Sequence, residues 1–343
     1  MNRMRPFVLF LTAAILLATA GCTLPAPLNG NTPPAPAAAP SGEPASVAPT
    51  PASGGKISGA YWFLLPNPDD DTYALVMSDA DRIPWTEINR LYLGFATVHD
   101  GVLTDLPTGD AAGDAARRSD MQNRVRTVAS LARQHNPGIA VFITSNFGEG
   151  MDDEYSAAAR DPQKFADSVV SYLKAGDLDG YDMDWESNSI DDYAPQLTSL
   201  LSTTRAAMAA AGNSPRGRPY LLTHTVWPGH ESPSTVAGLA DAVDQVNIMS
   251  YGPGETYELA TYADSYAAAG FPYGKMIGGI ESESGYGESG GPDTQDSVAA
   301  KCAYVKEKDL AGLFEWRFDN DMRPDNAPPT YQAAGWMSAC LAG

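Results

Sequence analysis

The sequence has few of the side chains that metal sites use most often. Among 343 residues only three are cysteine and four are histidine. No two histidines lie three or four residues apart, the spacing that places two metal ligands on one face of a helix. The histidines are His99, His135, His224 and His230. We therefore predict neither a metal site nor a cofactor.

Basic residues are also scarce, since 22 lysines and arginines face 42 aspartates and glutamates and give a formal net charge of −20. A surface of this sign repels phosphate backbones and does not attract nucleic acids over a distance. This excludes nucleic acid as an expected partner. Neutral sugars are unaffected by such a charge.

Long apolar runs are missing except near the start of the chain. Arg3 and Arg5 precede an apolar segment, Phe7 to Leu17, and an Ala-Gly-Cys sequence ends at Cys22. The run is shorter than the roughly 20 residues that a bilayer span needs. Because this ending resembles a bacterial lipobox, residues 1–21 are predicted to be a lipoprotein signal peptide. We expect a cell-surface lipoprotein anchored through lipidated Cys22, with full secretion as the alternative.

Two further regions follow the signal peptide. Residues 22–55 are rich in proline, alanine and serine and contain too few large apolar side chains to offset the entropy of ordering, so they are predicted to be a disordered linker. Residues 56–343 are predicted to form one domain that acts as a monomer. Export would permit a disulfide between Cys302 and Cys340, although two buried free thiols are equally compatible with the sequence.

Short apolar runs alternate with segments of helical period throughout the domain, a pattern typical of a parallel sheet with helical crossovers. Eight such runs are predicted to be strands, the number of a (β/α)₈ TIM barrel. They are Ala60–Leu65, Arg90–Ala96, Ile139–Thr144, Gly180–Glu186, Tyr220–Thr225, Gln245–Tyr251, Lys275–Ile280 and Gly312–Trp316. Four of the intervening segments are predicted to be helices, namely Met121–His135, Pro162–Lys174, Tyr193–Ala211 and Thr294–Lys308.

The fourth predicted strand contains three acids at alternate positions, Asp182, Asp184 and Glu186. Side chains on a strand alternate between its faces, so the acids point one way and the intervening bulky residues point the other. Glu186 is nearest the carboxyl end, where barrel enzymes build their active sites. Carboxylates this close cannot all ionise in a buried site, so a retained proton would make Glu186 an acid near neutral pH.

This strand resembles the Asp-Gly-x-Asp-x-Asp-x-Glu signature of glycoside hydrolase family 18, with Asp179, Asp182, Asp184 and Glu186 at its acidic positions. The resemblance implies substrate-assisted, retaining hydrolysis of β-linked N-acetylglucosamine. Glu186 would be the acid and then the base, Asp184 would orient the substrate's acetamido group, and Asp182 would share its proton. The acetamido group, rather than a protein side chain, would be the nucleophile.

Two other strands extend the resemblance. Asn247, Met249 and Tyr251 alternate along the sixth strand, where the family pattern Met-x-Tyr implies that Tyr251 is catalytic and Met249 lines the substrate site. On the eighth strand Trp316 resembles the tryptophan beneath the sugar. We also assign substrate binding to a further set of residues, and we assign no direct role to Ser145. The set is Tyr61, Asp179, Asn247 and Glu281.

Several residues near the acid and near Tyr251 differ from the pattern of chitinases. Ser187 and Asn188 follow the acid and Gly252 follows Tyr251, where chitinases have other residues. These differences, with Glu281 and Glu283, favour an endo-β-N-acetylglucosaminidase that cleaves the chitobiose core of N-glycans. A chitinase acting on chitin or chito-oligosaccharides is the alternative. A sugar-binding protein without catalysis and a structural surface spacer are the two readings outside enzymes.

Overall fold

A computed structural model describes residues 55–65, 72–105, 111–146, 150–254, 258–283, 291–324 and 327–342. The predicted signal peptide, Cys22 and the predicted linker up to residue 54 lie outside these residues. None of the described helices is both long enough and apolar enough to span a membrane.

Eight parallel strands form a closed barrel, which confirms the predicted TIM-barrel fold. Around the ring their order is β1, β2, β4, β5, β6, β7, β8, β9, and pairing of β1 with β9, the first and last strands, closes it. The short strand β3 pairs antiparallel with β2 outside this ring. The strands are β1 (Ile57–Phe63), β2 (Arg90–His99), β3 (Val102–Thr104), β4 (Ala140–Ser145), β5 (Gly180–Asp184), β6 (Leu221–Val226), β7 (Gln245–Ile248), β8 (Met276–Glu281) and β9 (Gly312–Trp316).

Helices cover the outside of the barrel and include the four that were predicted. They are α1 (Thr72–Met77), α2 (Ala111–His135), α3 (Met151–Ala158), α4 (Pro162–Gly176), α5 (Ala194–Ala211), α6 (Pro233–Ala237), α7 (Leu259–Ala268), α8 (Gln295–Lys308) and α9 (Gln332–Ala342). Helix α4 shows why such segments are helical. The Asp161 side chain caps its first turn, Pro162 occupies the first position, and Phe165, Val169 and Leu173 form one buried face.

The predicted strands differ from the observed ones mainly at their carboxyl ends. Strand β5 ends at Asp184 rather than at Glu186, and β7 ends at Ile248 rather than at Tyr251. Glu186 and Tyr251 therefore lie just beyond regular strand pairing, where each side chain points into the barrel mouth.

An aromatic layer fills the interior of the barrel below the mouth. The rings of Tyr61 and Tyr92 stack with centroids 4.5 Å apart, and Phe142 and Phe314 pack in the same cluster. Gly180 makes this layer possible, because a Cβ atom there would lie 2.4 Å from a ring carbon of Phe142. The polar residues at the barrel mouth thus lie next to a closely packed apolar layer.

Helix α9 packs against β1 and β9, the two strands at which the barrel closes. A disulfide joins Cys302 of α8 to Cys340 of α9, with a Cα–Cα distance of 6.2 Å. It holds α9 in place beside the closing strands.

Candidate active site

The three acids at the carboxyl end of β5 form the centre of the site, and we call them the inner carboxylates: Asp182, Asp184 and Glu186. Asp182 is fully buried, Asp184 is 4% exposed and Glu186 is half-buried. Exposure therefore increases toward the mouth, and Glu186 is the member that a ligand can reach.

Asp182 is held by hydroxyl groups from two other strands. Thr223 of β6 donates to Asp182 Oδ1 at 2.6 Å, and Tyr61 of β1 donates to Oδ2 at 2.8 Å. Asn247 of β7 donates to the Tyr61 hydroxyl at 2.7 Å. Burial nevertheless raises the pKa of Asp182. Tyr61 and Asn247 were predicted to bind substrate, but both are buried, and their side chains hydrogen-bond to Asp182 and to each other.

Asn146, at the end of β4, joins the other two inner carboxylates. Its side-chain amide lies 2.8 Å from Asp184 Oδ2 and 2.5 Å from Glu186 Oε1. Burial, followed by the charges of Glu186 and Asp182, raises the pKa of Asp184 well above its ordinary value. Burial also raises the pKa of Glu186. The pair therefore retains a proton at a pH where separate carboxyl groups would be ionised.

Sequence reasoning missed Asn146. It lies in the segment after the third predicted strand, which departs from the family pattern and for which we assigned no direct role to Ser145. Ser145 indeed points away from the site, because its hydroxyl contacts those of Tyr155 and Tyr181 at 2.8 and 2.5 Å outside the barrel. Alternation along β4 was the signal that could have placed its neighbour Asn146 on the inner face.

Tyr251, Met249 and Trp316, which were predicted to surround a sugar, pack against the aromatic layer. Tyr251 and Trp316 are half-buried and Met249 is 8% exposed. Gly279 allows the Tyr251 ring to approach, because a Cβ atom there would lie 2.9 Å from a carbon of that ring. Strand β9 is opposite β5 in the eight-stranded ring, so Trp316 faces the inner carboxylates across the mouth.

Asp179 does not join these residues. It precedes β5 at the opposite end of the barrel, where its carboxylate accepts hydrogen bonds from Arg133 and from the backbone N–H of Val141, both at 2.9 Å. The prediction that Asp179 binds substrate is therefore not supported by its position. The residue links β5 to β4 and to helix α2 instead.

Glu281 is completely buried. Its Oε1 accepts the backbone N–H of Glu283 at 2.8 Å, and burial raises its pKa to about 9, so it is neutral at pH 7. Glu283 in turn accepts a hydrogen bond from the indole N–H of Trp316 at 3.1 Å. Glu281 therefore supports the loop that orients Trp316, and its predicted sugar contact stays a prediction.

A polar cavity of about 380 Å³ opens beside Glu186. Its walls come from the start of α3 and from the residues after β5, including Met151, Asp152, Asn188 and Tyr193. Asp152 fixes this wall, because it accepts hydrogen bonds from the Trp185 indole at 2.7 Å and from Ser187 at 3.0 Å. Within the described ranges no three histidine, cysteine or acidic side chains are grouped as a metal site.

Comparison with known proteins agrees with this geometry. The family model for glycosyl hydrolases family 18 matches residues 69–279. The chain is 24% identical over 213 residues to a class V chitinase of Arabidopsis thaliana, an alignment that covers 58% of this chain and 49% of that protein. The chain thus spans about half the length of this curated relative.

Two solved structures share the fold. The class V chitinase from Nicotiana tobaccum in complex with NAG4 has a TM-score of 0.66 at 19% identity, covering 84% of this chain and 99% of that chain. The chitinase-like agglutinin from Robinia pseudoacacia has a TM-score of 0.62 at 18% identity, covering 83% of this chain and 99% of that chain.

Proposed function

The chain belongs to the glycosyl hydrolases of family 18, and on that premise we propose that it hydrolyses β-1,4-linked N-acetylglucosamine as a chitinase-type glycosidase. The observation that carries this proposal is the Asp184–Glu186 pair bridged by Asn146, with Glu186 open to the mouth. A half-buried carboxyl group with a raised pKa is the acid needed to protonate a glycosidic oxygen near neutral pH.

In the first step Glu186 gives its proton to the glycosidic oxygen as the bond from that oxygen to the anomeric carbon breaks. The carbonyl oxygen of the substrate's own acetamido group forms the new bond to that carbon, which gives a cyclic oxazolinium ion. Asp184 accepts a hydrogen bond from the acetamido N–H and balances its positive charge. Tyr251 donates its hydroxyl hydrogen to the acetamido oxygen and keeps it in line for attack.

In the second step the ionised Glu186 takes a proton from water, and the water oxygen opens the oxazolinium ring at the anomeric carbon. Attack comes from the face that the leaving group vacated, so the β configuration is retained. Asp182, held by hydroxyl donors beneath Asp184, shares the proton that the buried pair cannot release to solvent.

We propose chitin or chito-oligosaccharides as the substrate class, rather than the N-glycan core that the sequence differences favoured. The N-glycan prediction depended partly on Gly252 in place of an acid, together with Ser187, Asn188, Glu281 and Glu283. The backbone N–H of Gly252 contacts Asp293 at 3.0 Å, so a carboxylate from another loop is buried there. The chitinase relative and the chitinase bound to NAG4 support this choice, whereas nothing found supports the N-glycan alternative specifically.

The decisive experiment offers the purified protein a chito-hexasaccharide, a high-mannose glycoprotein and a complex-type glycoprotein in parallel. We expect cleavage of the hexasaccharide, seen by mass spectrometry, with the β anomer as the first product in proton NMR. The α anomer as first product would contradict the mechanism, and cleavage of a glycoprotein alone would restore the N-glycan alternative.

A sugar-binding role without catalysis is tested by the same assay, because an agglutinin has this fold. Hexasaccharide binding without any cleavage would favour that role. The intact set of Asp182, Asp184 and Glu186 supports the enzyme.

We also propose that the protein is exported and held at the cell surface through lipidated Cys22, on the support of the predicted signal sequence. Metabolic labelling with a palmitate analogue would test this. Labelling that persists in a Cys22→Ala variant would contradict it.

A further inference from the structure

A buried ion pair lies between helix α8 and the carboxyl ends of β7 and β8. It joins Lys301, in α8, to Asp293, just before that helix, with Lys301 Nζ 2.8 Å from Asp293 Oδ2. The Lys301 side chain is 10% exposed and the Asp293 side chain is fully buried. A buried ion pair adds little net stability compared with apolar side chains of the same size. Stability alone therefore does not explain the pair.

The Lys301 ammonium group binds the backbone on both sides of Tyr251. Its Nζ lies 2.5 Å from the carbonyl oxygen of Ser250 and 3.1 Å from that of Gly252. A third carbonyl oxygen, that of Gly279 in β8, also lies 3.1 Å away. An ammonium group has three hydrogens to donate, so the carboxylate and these carbonyl oxygens use all of them. Lys301 thus connects the segment that carries Tyr251 to the neighbouring strand.

The Asp293 carboxylate holds the same segment through a backbone donor. Its Oδ2 accepts the backbone N–H of Gly252 at 3.0 Å and that of Glu281 at 2.8 Å. Its Oδ1 accepts the hydroxyl of Ser297 at 2.6 Å, and the backbone N–H of Asp293 donates to the carbonyl oxygen of Glu281 at 2.7 Å. Asp293 is therefore fixed to β8 and to the first turn of α8, and it fixes in turn the residue that follows Tyr251.

Strand pairing does not hold Tyr251, because β7 ends at Ile248. The next residue, Gly252, has a φ of 79°, a left-handed backbone conformation that does not continue a strand. The ion pair supplies hydrogen bonds to the backbone in place of the sheet. Ser250 adds two more, since its hydroxyl donates to the carbonyl oxygen of Gly279 at 3.0 Å and accepts the N–H of the same residue at 2.9 Å. The direction of the Tyr251 side chain therefore depends on contacts from outside its own strand.

We propose that Lys301 and Asp293 are positioning residues that place the Tyr251 hydroxyl for catalysis. This inference rests on the proposed function, in which Tyr251 donates its hydroxyl hydrogen to the acetamido oxygen. The two charged residues act through the backbone on either side of Tyr251 rather than through the sugar. A misplacement of about 1 Å in a group that orients a reacting atom can slow a reaction on the order of 10²-fold. Breaking the ion pair should therefore slow catalysis although no side chain that contacts the sugar is changed.

The test is a double-mutant cycle between the ion pair and the Tyr251 hydroxyl, with the chito-hexasaccharide as substrate. Lys301→Met removes the charge with little change in side-chain length. We expect kcat to fall about tenfold or more and KM to change less than about threefold. In a Tyr251→Phe background the same change should lower kcat less than about twofold, because the hydroxyl that Lys301 positions is already absent. Equal losses of kcat in the two backgrounds would overturn the proposal.

Two further variants control this cycle. Lys306→Met changes an exposed lysine of the same helix and should leave kcat unchanged. Because Lys301→Met leaves the Asp293 carboxylate buried without its cation, the combined variant Lys301→Met/Asp293→Asn removes both charges and should fold even where the single variant does not. Thermal unfolding verifies the fold. The combined variant should show the same loss of kcat, again only when Tyr251 is present, and an undiminished kcat in it would contradict the proposal.

A measurement without substrate separates this inference from the proposed function. Protein labelled with fluorotyrosine gives a fluorine NMR resonance for Tyr251, identified by its absence in Tyr251→Phe. We expect this resonance to shift or broaden in Lys301→Met and to stay in place in Lys306→Met. If the unmodified protein does not cleave the hexasaccharide, the proposed function fails, and this resonance then decides whether the ion pair positions Tyr251. A resonance that is the same with and without the Lys301 charge would show that it does not.

Discussion

The protein contains two groups of buried carboxylates that differ in what surrounds them. The inner carboxylates lie inside the barrel. A second group, which we call the outer carboxylates, lies between β9 and α9 and consists of Glu315, Asp319 and Asp321, all fully buried. Burial raises the pKa values of members of both groups. In each group two neighbouring carboxyl groups also shift one another's pKa: Asp184 with Glu186 and Glu315 with Asp321.

The difference is that the outer carboxylates are enclosed by the protein itself. Asp321 accepts the backbone N–H groups of Ala333 and Ala334 at 3.1 and 3.0 Å in the first turn of α9. Asp319 accepts a hydrogen bond from Thr72 and another from the backbone N–H of Phe63. A raised pKa therefore does not identify an active site by itself. The inner group is distinguished by Glu186, which reaches an open mouth.

The largest expected effect is on kcat, which should depend on the inner carboxylates and not on the outer ones. Glu186→Gln should lower kcat on the hexasaccharide about 10³-fold or more, because the amide cannot protonate the leaving oxygen. The matched change in the outer group, Glu315→Gln, should leave kcat within about threefold, since no substrate reaches it. Thermal unfolding would verify that both variants fold. Comparable losses of kcat in the two variants would contradict the assignment of catalysis to the inner carboxylates alone.

A second effect concerns stability and belongs to the outer group. Burial raises the pKa of Asp321 to about 6, so the folded protein binds more protons than the unfolded chain between about pH 4 and 6. Stability should therefore fall as the pH rises through that window, by at most about 3 kcal/mol from this residue. In Asp321→Asn this part of the slope should vanish.

Urea unfolding at pH 4, 5, 6 and 7 would measure the slope. The exposed Asp241 offers a control, because Asp241→Asn should leave the slope unchanged. A wild-type slope in Asp321→Asn would show that Asp321 does not contribute to it.

The smallest expected effect concerns the side chains that donate hydrogen bonds to the inner and the outer carboxylates. Asn146→Ala removes hydrogen bonds that lower the pKa values of Asp184 and Glu186, so both values should rise. The basic limb of the pH profile of kcat/KM should move to higher pH, and its maximum should fall about tenfold. Thr72→Val, which removes a donor to Asp319, should leave the profile in place. A profile that moves in Thr72→Val and not in Asn146→Ala would refute the assignment.

The barrel and the inner carboxylates were predictable because they depend on local order in the sequence. Alternation along β5 places Asp182, Asp184 and Glu186 on one face whatever the rest of the chain does. The cap of α4 at Asp161 and Pro162 is equally local. These features need only the identity of residues within a few positions of one another.

The errors concern depth in the barrel and contacts between distant segments. Tyr61 and Asn247 face inward, but their contacts with Asp182 depend on the register between strands, which alternation does not give. Asp179 belongs to the family signature, yet it pairs with Arg133 at the other end of the barrel. Gly252 contacts Asp293 from a separate loop, so its neighbouring sequence could not show that an acid is present.

Closure of the barrel by β1 and β9 makes the whole domain necessary for chemistry. Tyr61, which holds Asp182, comes from the first strand, and Trp316, which faces Glu186, comes from the last, 255 positions later. In a folding intermediate with β5 formed but β1 and β9 not yet paired, the inner carboxylates would lack the hydrogen bond from Tyr61 to Asp182. They would also lack the Trp316 ring against which a sugar would pack. Under the proposed function, turnover would therefore measure completed folding, and a partly folded chain would hydrolyse no substrate.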